Sequence, residues 1–161
     1  MRIIFGSIFF LFLTSCVSVR IDNYGADKDK SVQLEQPAKP FESIKNQASD
    51  STWKNPESGS VIAYLSECSP ALNVDLMSIV NDAVTSLKNG KVEFQETSND
   101  VHHAAMNAFV LGTRDEQAIG LRMHLFKKGN CLYQLHFVGS PESLKKDATA
   151  FEQFSLGFRV P

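Results

Sequence analysis

The stretch AIGLRMHLFKKGNCLYQLHFV, residues 118–138, predicts two β-strands joined by a tight turn. Both halves are rich in apolar residues, and Gly129 supplies the positive φ that hairpin loops require. A three-residue loop, Lys127 to Gly129, pairs Phe126 with Asn130 and places the apolar residues of both strands on one face. The predicted pairs are Leu125 with Cys131, Met123 with Tyr133, Leu121 with Leu135, and Ile119 with Phe137.

Further strand patterns precede this hairpin. An Asn-Pro-Glu-Ser-Gly turn at 55–59 separates two short apolar runs, which indicates an opening hairpin with Trp53 in the core. Later runs alternate apolar and polar residues in the manner of half-buried strands. The predicted strands are 51–54, 61–66, 92–97, 104–112, 118–126 and 131–138.

Two helical patterns flank the last four strands. Residues 75–88 repeat apolar positions at helical spacing, with Asn73 or Asp75 as the N-cap. A second helix begins at Ser140, where Ser suits the cap and the following Pro suits the first turn, and runs towards Gly157. The sequence therefore predicts one α+β domain, an antiparallel β-sheet flanked by helices.

The N-terminal segment MRIIFGSIFFLFLTSC, residues 1–16, has the parts of a secretory signal. Its apolar run of about 11 residues is too short to cross a bilayer, which needs about 20. Leu13–Cys16 resembles a bacterial lipobox. That resemblance implies cleavage after residue 15 and a diacylglyceryl group, with further acylation such as palmitate, on Cys16. Val17 in place of Asp implies sorting to the outer membrane, facing the periplasm.

We therefore divide the chain into three parts. Residues 1–15 are the signal peptide, 16–40 the lipidated N-terminus and a polar, flexible tether, and 41–161 the single globular domain. The net charge of −2 favours neither a nucleic-acid surface nor a polybasic membrane patch.

Cys68 and Cys131 remain once Cys16 is assigned to the lipid. An exported chain meets an oxidising compartment, so these two thiols are candidates for a disulfide. The alternative is two small buried hydrophobic residues that never meet.

We find no motif typical of catalysis. The chain has no Gly-x-Ser-x-Gly elbow and no His-Glu-x-x-His. In the predicted register His124 and His136 share a face but lie about 13 Å apart, and the sequential His102 and His103 point to opposite faces. We therefore expect no enzyme activity, no metal site and no cofactor.

The order hairpin, helix, antiparallel strands, helix resembles the PsbP-like group of α/β/α sandwich domains. The chain is also similar to uncharacterised lipoproteins of predatory deltaproteobacteria. The resemblance spans about residues 41–160 and brings no catalytic residue set with it. It is carried by residues 53–62, 66–68, 125–133, 151–154 and 157–158.

Three functions follow as hypotheses. The first is a non-catalytic outer-membrane lipoprotein that binds an envelope protein as an accessory module. The second is a carrier that holds a lipid or small apolar ligand between the sheet and the second helix, among Phe residues. The third is a small hydrolase whose site assembles from distant residues. An exposed patch would favour the first and a retained ligand the second.

Overall fold

The computed structural model describes residues 27–100 and 103–161. In this part of the chain seven antiparallel strands form one sheet in the order β1-β2-β3-β7-β6-β5-β4. The predicted antiparallel sheet with flanking helices is confirmed. The strands are β1 Glu42–Ile44, β2 Ser51–Lys54, β3 Val61–Cys68, β4 Lys88–Asp100, β5 His103–Arg114, β6 Gln117–Lys128 and β7 Cys131–Gly139. The helices are α1 Leu76–Thr85, α2 Pro141–Lys146 and α3 Ala148–Gly157.

Helices cover both faces of the sheet, so the domain has three layers. On the first face, here the α1 face, the apolar side of α1 packs on β5 and β6 through residues such as Val80, Val110 and Met123. On the second, the α3 face, Phe151 and Phe154 of α3 belong to a second core with the inner residues of β3 and β7. Two buried cores of this kind are typical of an α/β/α sandwich.

The predicted register of the last hairpin is wrong. A two-residue turn at Gly129 and Asn130 pairs Lys128 with Cys131 and Phe126 with Tyr133. Gly129 has a φ of +58°. The prediction assumed that one face of β7 is apolar and the other polar, whereas β7 is buried on both sides, and its polar residues Gln134 and His136 lie buried opposite Leu125 and Met123.

The corrected register changes the positions of two histidines. Met123 pairs with His136, and His124 pairs with Leu135. Successive residues of a strand point to opposite faces, so His136 lies on the α1 face and His124 on the α3 face. The two rings are therefore separated by the sheet.

The predicted second helix is two helices with a break at Asp147. Ser140 caps α2 by accepting a hydrogen bond from the Ser143 amide, and Pro141 occupies the first turn, as the sequence indicates. Asp147 is 8% exposed, and its Oδ2 accepts hydrogen bonds from Asn55 and from the hydroxyls of Ser58 and Ser60. These contacts tie the start of α3 to the β2–β3 turn.

Two paired glycines let α2 approach the sheet. Gly120 of β6 lies opposite Gly139 of β7. A Cβ on Gly120 would lie 2.6 Å from the Leu144 Cδ1 atom, and one on Gly139 would collide with the Ser143 hydroxyl. A side chain at either position would have to displace the α2 side chain that it meets, so glycine allows the close approach.

Part of the predicted tether contacts the domain. Asp27 bridges Cys68, Gln33 bridges Arg159, and the Asp29 carboxylate accepts a hydrogen bond of 2.6 Å from the Tyr133 hydroxyl. Residues 1–26, which include Cys16, lie outside the described residues. The division into signal peptide, tether and domain therefore stays a prediction.

Cys68 and Cys131 lie directly opposite each other on β3 and β7, with their sulfur atoms 2.01 Å apart in a disulfide. The bond joins two strands at the centre of the sheet. Within the described ranges we find no helix with the length and apolar character needed to cross a bilayer.

Candidate functional site: a cleft between α3 and the sheet

One half of the α3 face is open. Helices α2 and α3 pack over β3 and β7, and beyond them strands β4, β5 and β6 continue the sheet. A cleft of about 540 Å³ lies between α3 and these three strands. We call it the α3 cleft. A volume of 300–1,000 Å³ is usual for a site that binds a small ligand.

The floor of the α3 cleft is made by neighbouring strands whose residues share one face. Phe94 of β4 lies opposite Phe109 of β5, which lies opposite Arg122 of β6. Two residues further along the same face of β5 and β6, Asn107 lies opposite His124. The two-residue period of each strand brings these five side chains to the same side of the sheet.

One side of α3 forms the wall. Phe151, Glu152, Ser155 and Leu156 line the cleft, and their spacing of one and four residues places them on one side of a helix. The Phe151 ring stacks on Phe137 of β7 with centroids 5.0 Å apart, which anchors the wall to the strand beside the floor.

The rim of the α3 cleft carries large apolar side chains that face water. Phe94 is 53% exposed and Leu156 is 72% exposed. They stand on the two sides of the opening, one on the sheet and one on the helix. A pair of exposed apolar residues beside an apolar cleft is typical of a binding surface.

The strongest charge on the floor is Arg122. Its guanidinium lies 5.5 Å from the centroid of the Phe109 ring, in cation–π geometry. The ion pairs found among the described residues do not include Arg122. Within the described ranges the cation thus rests on an aromatic ring and makes no ion pair.

His124 supplies a hydrogen-bonding group beside this cation. Its Nδ1 lies 2.7 Å from the Asn107 Oδ1, and because that oxygen can only accept, Nδ1 carries the hydrogen. Burial lowers the pKa of His124, so the ring is neutral at pH 7. Neutral His124 with a protonated Nδ1 has Nε2 as a hydrogen-bond acceptor.

The polar groups of the cleft lining differ in their hydrogen bonds. A nucleophile needs a base within hydrogen-bond reach, and Ser155 supplies the hydroxyl of the cleft lining. In the described chain the Ser155 Oγ has no hydrogen-bond partner, and His124 is bonded to Asn107 instead. Among the described residues the lining thus combines an apolar surface with one cation, one carboxyl group and a few neutral polar groups.

Of the histidines singled out from the sequence, His124 lines the α3 cleft, whereas His136 lies on the α1 face. Cys68 and Cys131 are at the end of the β3–β7 pair, while Cys16 and His102 fall outside the described residues. Among the residues that the structure describes, no three His, Cys, Asp or Glu side chains are placed to hold a metal ion.

Sequence reasoning missed Arg122 and Asn107 as site residues. A signal for them exists, because both are polar residues within otherwise apolar strand patterns. This polar pattern indicates a site only when the neighbouring strands are known, because the strand pairing places Asn107 beside His124 and Arg122 beside Phe109.

The chain matches no known protein family and no curated protein sequence. It is, however, similar in structure to the solution structure of the cyanobacterial PsbP protein CyanoP from Synechocystis sp. PCC 6803. The TM-score is 0.57 at 14% sequence identity, over 92% of this chain and 99% of the other.

The fold is PsbP-like.

Two crystal structures agree with this assignment. LpqN of Mycobacterium tuberculosis, a protein involved in cell envelope biogenesis, gives a TM-score of 0.57 at 7% identity, over 84% of this chain and 86% of the other. PA94 of Pseudomonas aeruginosa, a protein of unknown function, gives 0.51 at 16% identity, over 84% of this chain and 86% of the other. At these identities the likeness concerns the fold, and function has to be argued from the α3 cleft.

Proposed function

We propose that this protein is a non-catalytic binding module of the bacterial envelope, held at the outer membrane by a lipid on Cys16. It acts as an accessory to an envelope complex and binds in the α3 cleft. The observation that carries the proposal is the open cleft with Phe94 and Leu156 exposed at its rim.

The lining supports binding without catalysis. Apolar walls gain free energy when they are covered, at roughly 25 cal/mol per Å² of apolar surface removed from water. Ser155, the hydroxyl of the lining, has no hydrogen-bonded base among the described residues. One PsbP-like protein, LpqN, is described as involved in cell envelope biogenesis, which is consistent with an envelope role.

Contacts of Asp27, Asp29 and Gln33 with the domain support a shorter tether to the proposed anchor. Residues 17–26 separate Cys16 from Asp27, and at about 3.5 Å per residue they reach at most about 40 Å. A tether extending to residue 40 would reach about twice as far. On this proposal the domain works within about 40 Å of the membrane surface.

A carrier of lipid or of a small apolar ligand is the second candidate. It is favoured by the position of the cleft, which lies between the sheet and the second helical region and is lined by Phe94, Phe109 and Phe151. The two candidates differ in what occupies the cleft, a segment of a partner protein or a small molecule.

The test is purification of the C-terminally tagged protein from its own membranes in mild detergent, followed by mass spectrometry of all proteins and lipids that accompany it. The accessory role predicts one envelope protein at near-equal molar amount. A defined lipid at near one-to-one, without a protein, would favour the carrier. If neither is found, the binding role is wrong.

The matched control for the anchor is Cys16→Ala, which removes the acylated thiol. We expect labelled palmitate fed to the cells to be incorporated into the wild-type protein and not into the variant. Equal incorporation into both would contradict lipidation of Cys16 without bearing on the cleft.

A further inference from the structure

The α3 cleft combines an apolar surface with a single positive charge. Phe94, Phe109, Phe151 and Leu156 offer hydrocarbon and aromatic surface, and Arg122 is the cation of the lining. A ligand that matches both must have an apolar part and an anionic part. Its size is limited by the volume of about 540 Å³.

Arg122 lies on the floor of the cleft between two aromatic residues. It is opposite Phe109 on one neighbouring strand and opposite Phe137 on the other. A half-buried cation has lost part of its hydration shell, so it is stabilised most by an anion that replaces the lost contacts with water. The planar guanidinium matches carboxylate and phosphate oxygens, to which it can donate two parallel hydrogen bonds.

Glu152 is the acidic group of the lining, and it limits where an anion can lie. It is exposed on α3, and no ion pair joins it to Arg122 in the described part of the chain. Its charge repels an anion, so the anionic group of the ligand must lie on the floor beside Arg122. The tail then extends towards the apolar rim.

The free edge of the sheet argues against a peptide strand as the occupant. β4 is the last strand of the sheet, and its register is interrupted between Lys88 and Lys91 and again between Val92 and Phe94. Bulges and lysines at an edge oppose the addition of another strand. A compact ligand avoids this obstacle because it needs no backbone pairing.

We propose that the α3 cleft binds a single-chain amphiphile with an anionic head group, carboxylate or phosphate. The head group pairs with Arg122, and the tail lies against Phe94, Phe109 and Leu156. This inference rests on the second candidate for the proposed function, in which a small molecule and not a segment of a partner protein occupies the α3 cleft.

The test uses the full chain in nanodiscs of zwitterionic phospholipid and two photoactivatable probes. Both probes have the same twelve-carbon diazirine tail, and they carry a carboxylate or a glucoside head. After illumination, peptide mass spectrometry locates the labelled residues. We expect the carboxylate probe to label the peptides that contain Phe94 and Leu156 more strongly than the glucoside probe does.

Arg122→Gln should lower labelling by the carboxylate probe about tenfold or more, because a charge-assisted hydrogen bond is lost. Labelling by the glucoside probe should stay unchanged. Lys145→Gln, which removes one positive charge from exposed α2, should change neither, and Arg122→Lys should retain part of the preference. Competition by unlabelled dodecanoate or dodecyl phosphate then identifies the head group that the cleft prefers.

Three results would overturn the inference: equal labelling of the cleft by both probes, an equal fall for both in Arg122→Gln, or labelling outside the cleft. These failures are distinct from failure of the proposed function. Equal labelling within the cleft would leave it as a binding site without head-group recognition. Labelling elsewhere, together with a co-purified envelope protein, would leave the accessory role intact.

Discussion

Asp147→Asn should destabilise the domain by about 3 kcal/mol while leaving its fold intact. The Asp147 Oδ2 accepts hydrogen bonds of 3.0 Å from Asn55 and of 2.5 Å from both Ser58 and Ser60. A hydrogen bond to a charged group contributes about 1.5–3 kcal/mol. The sum overstates the loss, because the amide oxygen of Asn can still accept and contributions within one network are not additive.

The pKa of Asp147 gives the prediction a second, pH-dependent part. Burial raises this pKa, but the hydrogen bonds from Ser58, Ser60 and Asn55, together with nearby Lys146, lower it below the usual 3.8. The carboxylate therefore stabilises the fold above pH 3.8, and this contribution is lost as the pH falls through the lowered pKa. The difference between wild type and variant should shrink over the same range.

The assay is urea unfolding at pH 7 and at several lower pH values, followed by circular dichroism. Asp82→Asn, at an exposed position of α1, is the matched control and should change the free energy of unfolding by less than about 0.5 kcal/mol. A loss below about 1 kcal/mol for Asp147→Asn, or a difference independent of pH, would refute the assignment of this network as the anchor of α3.

Three further predictions concern the core. Gly120→Ala should lower the unfolding free energy by about 1–3 kcal/mol in the same assay, because the new Cβ would lie 2.6 Å from a side-chain carbon of α2. The control is Gly157→Ala, where the Cβ would meet nothing closer than 3.7 Å, and it should be nearly neutral. The disulfide joins Cys68 and Cys131, which are 63 residues apart in sequence. Because the bond closes a loop of this length, its reduction should lower the unfolding free energy by about 4 kcal/mol. A thiol assay that finds both residues free in the exported protein would contradict the bond. Burial lowers the pKa of His136 to about 4. Below pH 6.5 this histidine takes up a proton more readily in the unfolded chain than in the folded one, so the unfolding free energy should fall by up to about 3 kcal/mol as the pH drops towards 4. His136→Leu should reduce that slope and leave the smaller part due to His124, whose pKa burial also lowers, and an unchanged slope would contradict the role of His136.

Local patterns in the sequence predict most elements of this fold. The apolar period of residues 75–88 and the cap at Asp75 correspond to α1, and the alternating runs correspond to β5, β6 and β7. Each of these signals lies within the element it predicts. The three-residue strand β1 is not predicted from the sequence, and the long strand β4 begins four residues before its predicted start.

The register of the last hairpin could not be obtained in this way. Parity arguments need one polar and one apolar face, and β7 is buried from Leu132 to Phe137 because helices lie on both sides. The same burial on two faces follows from a three-layer fold. Local parity should therefore not decide register in a strand at the centre of a sandwich.

The break between α2 and α3 and the α3 cleft both depend on contacts distant in sequence. Asp147 interrupts a helical pattern because its partners are in the β2–β3 turn, 87–92 residues away. The cleft needs the neighbours of Arg122 across two strands, together with the side of α3 that faces it. The sequence-based hypothesis of a ligand between the sheet and the second helix gives the region of the cleft. The presence of Arg122 in that cleft follows only from the strand order.

Hydrogen–deuterium exchange of the protein in its own membrane extract, compared with the purified protein, tests the central claim most directly. If the α3 cleft is the binding site, slower exchange in the extract should be confined to residues 92–97, 107–109, 122–124 and 151–156. Leu156→Asp, at a residue exposed enough to leave the fold intact, should abolish that protection. Protection centred on the α1 face, or protection unchanged in the variant, would contradict the claim that this protein binds through the α3 cleft.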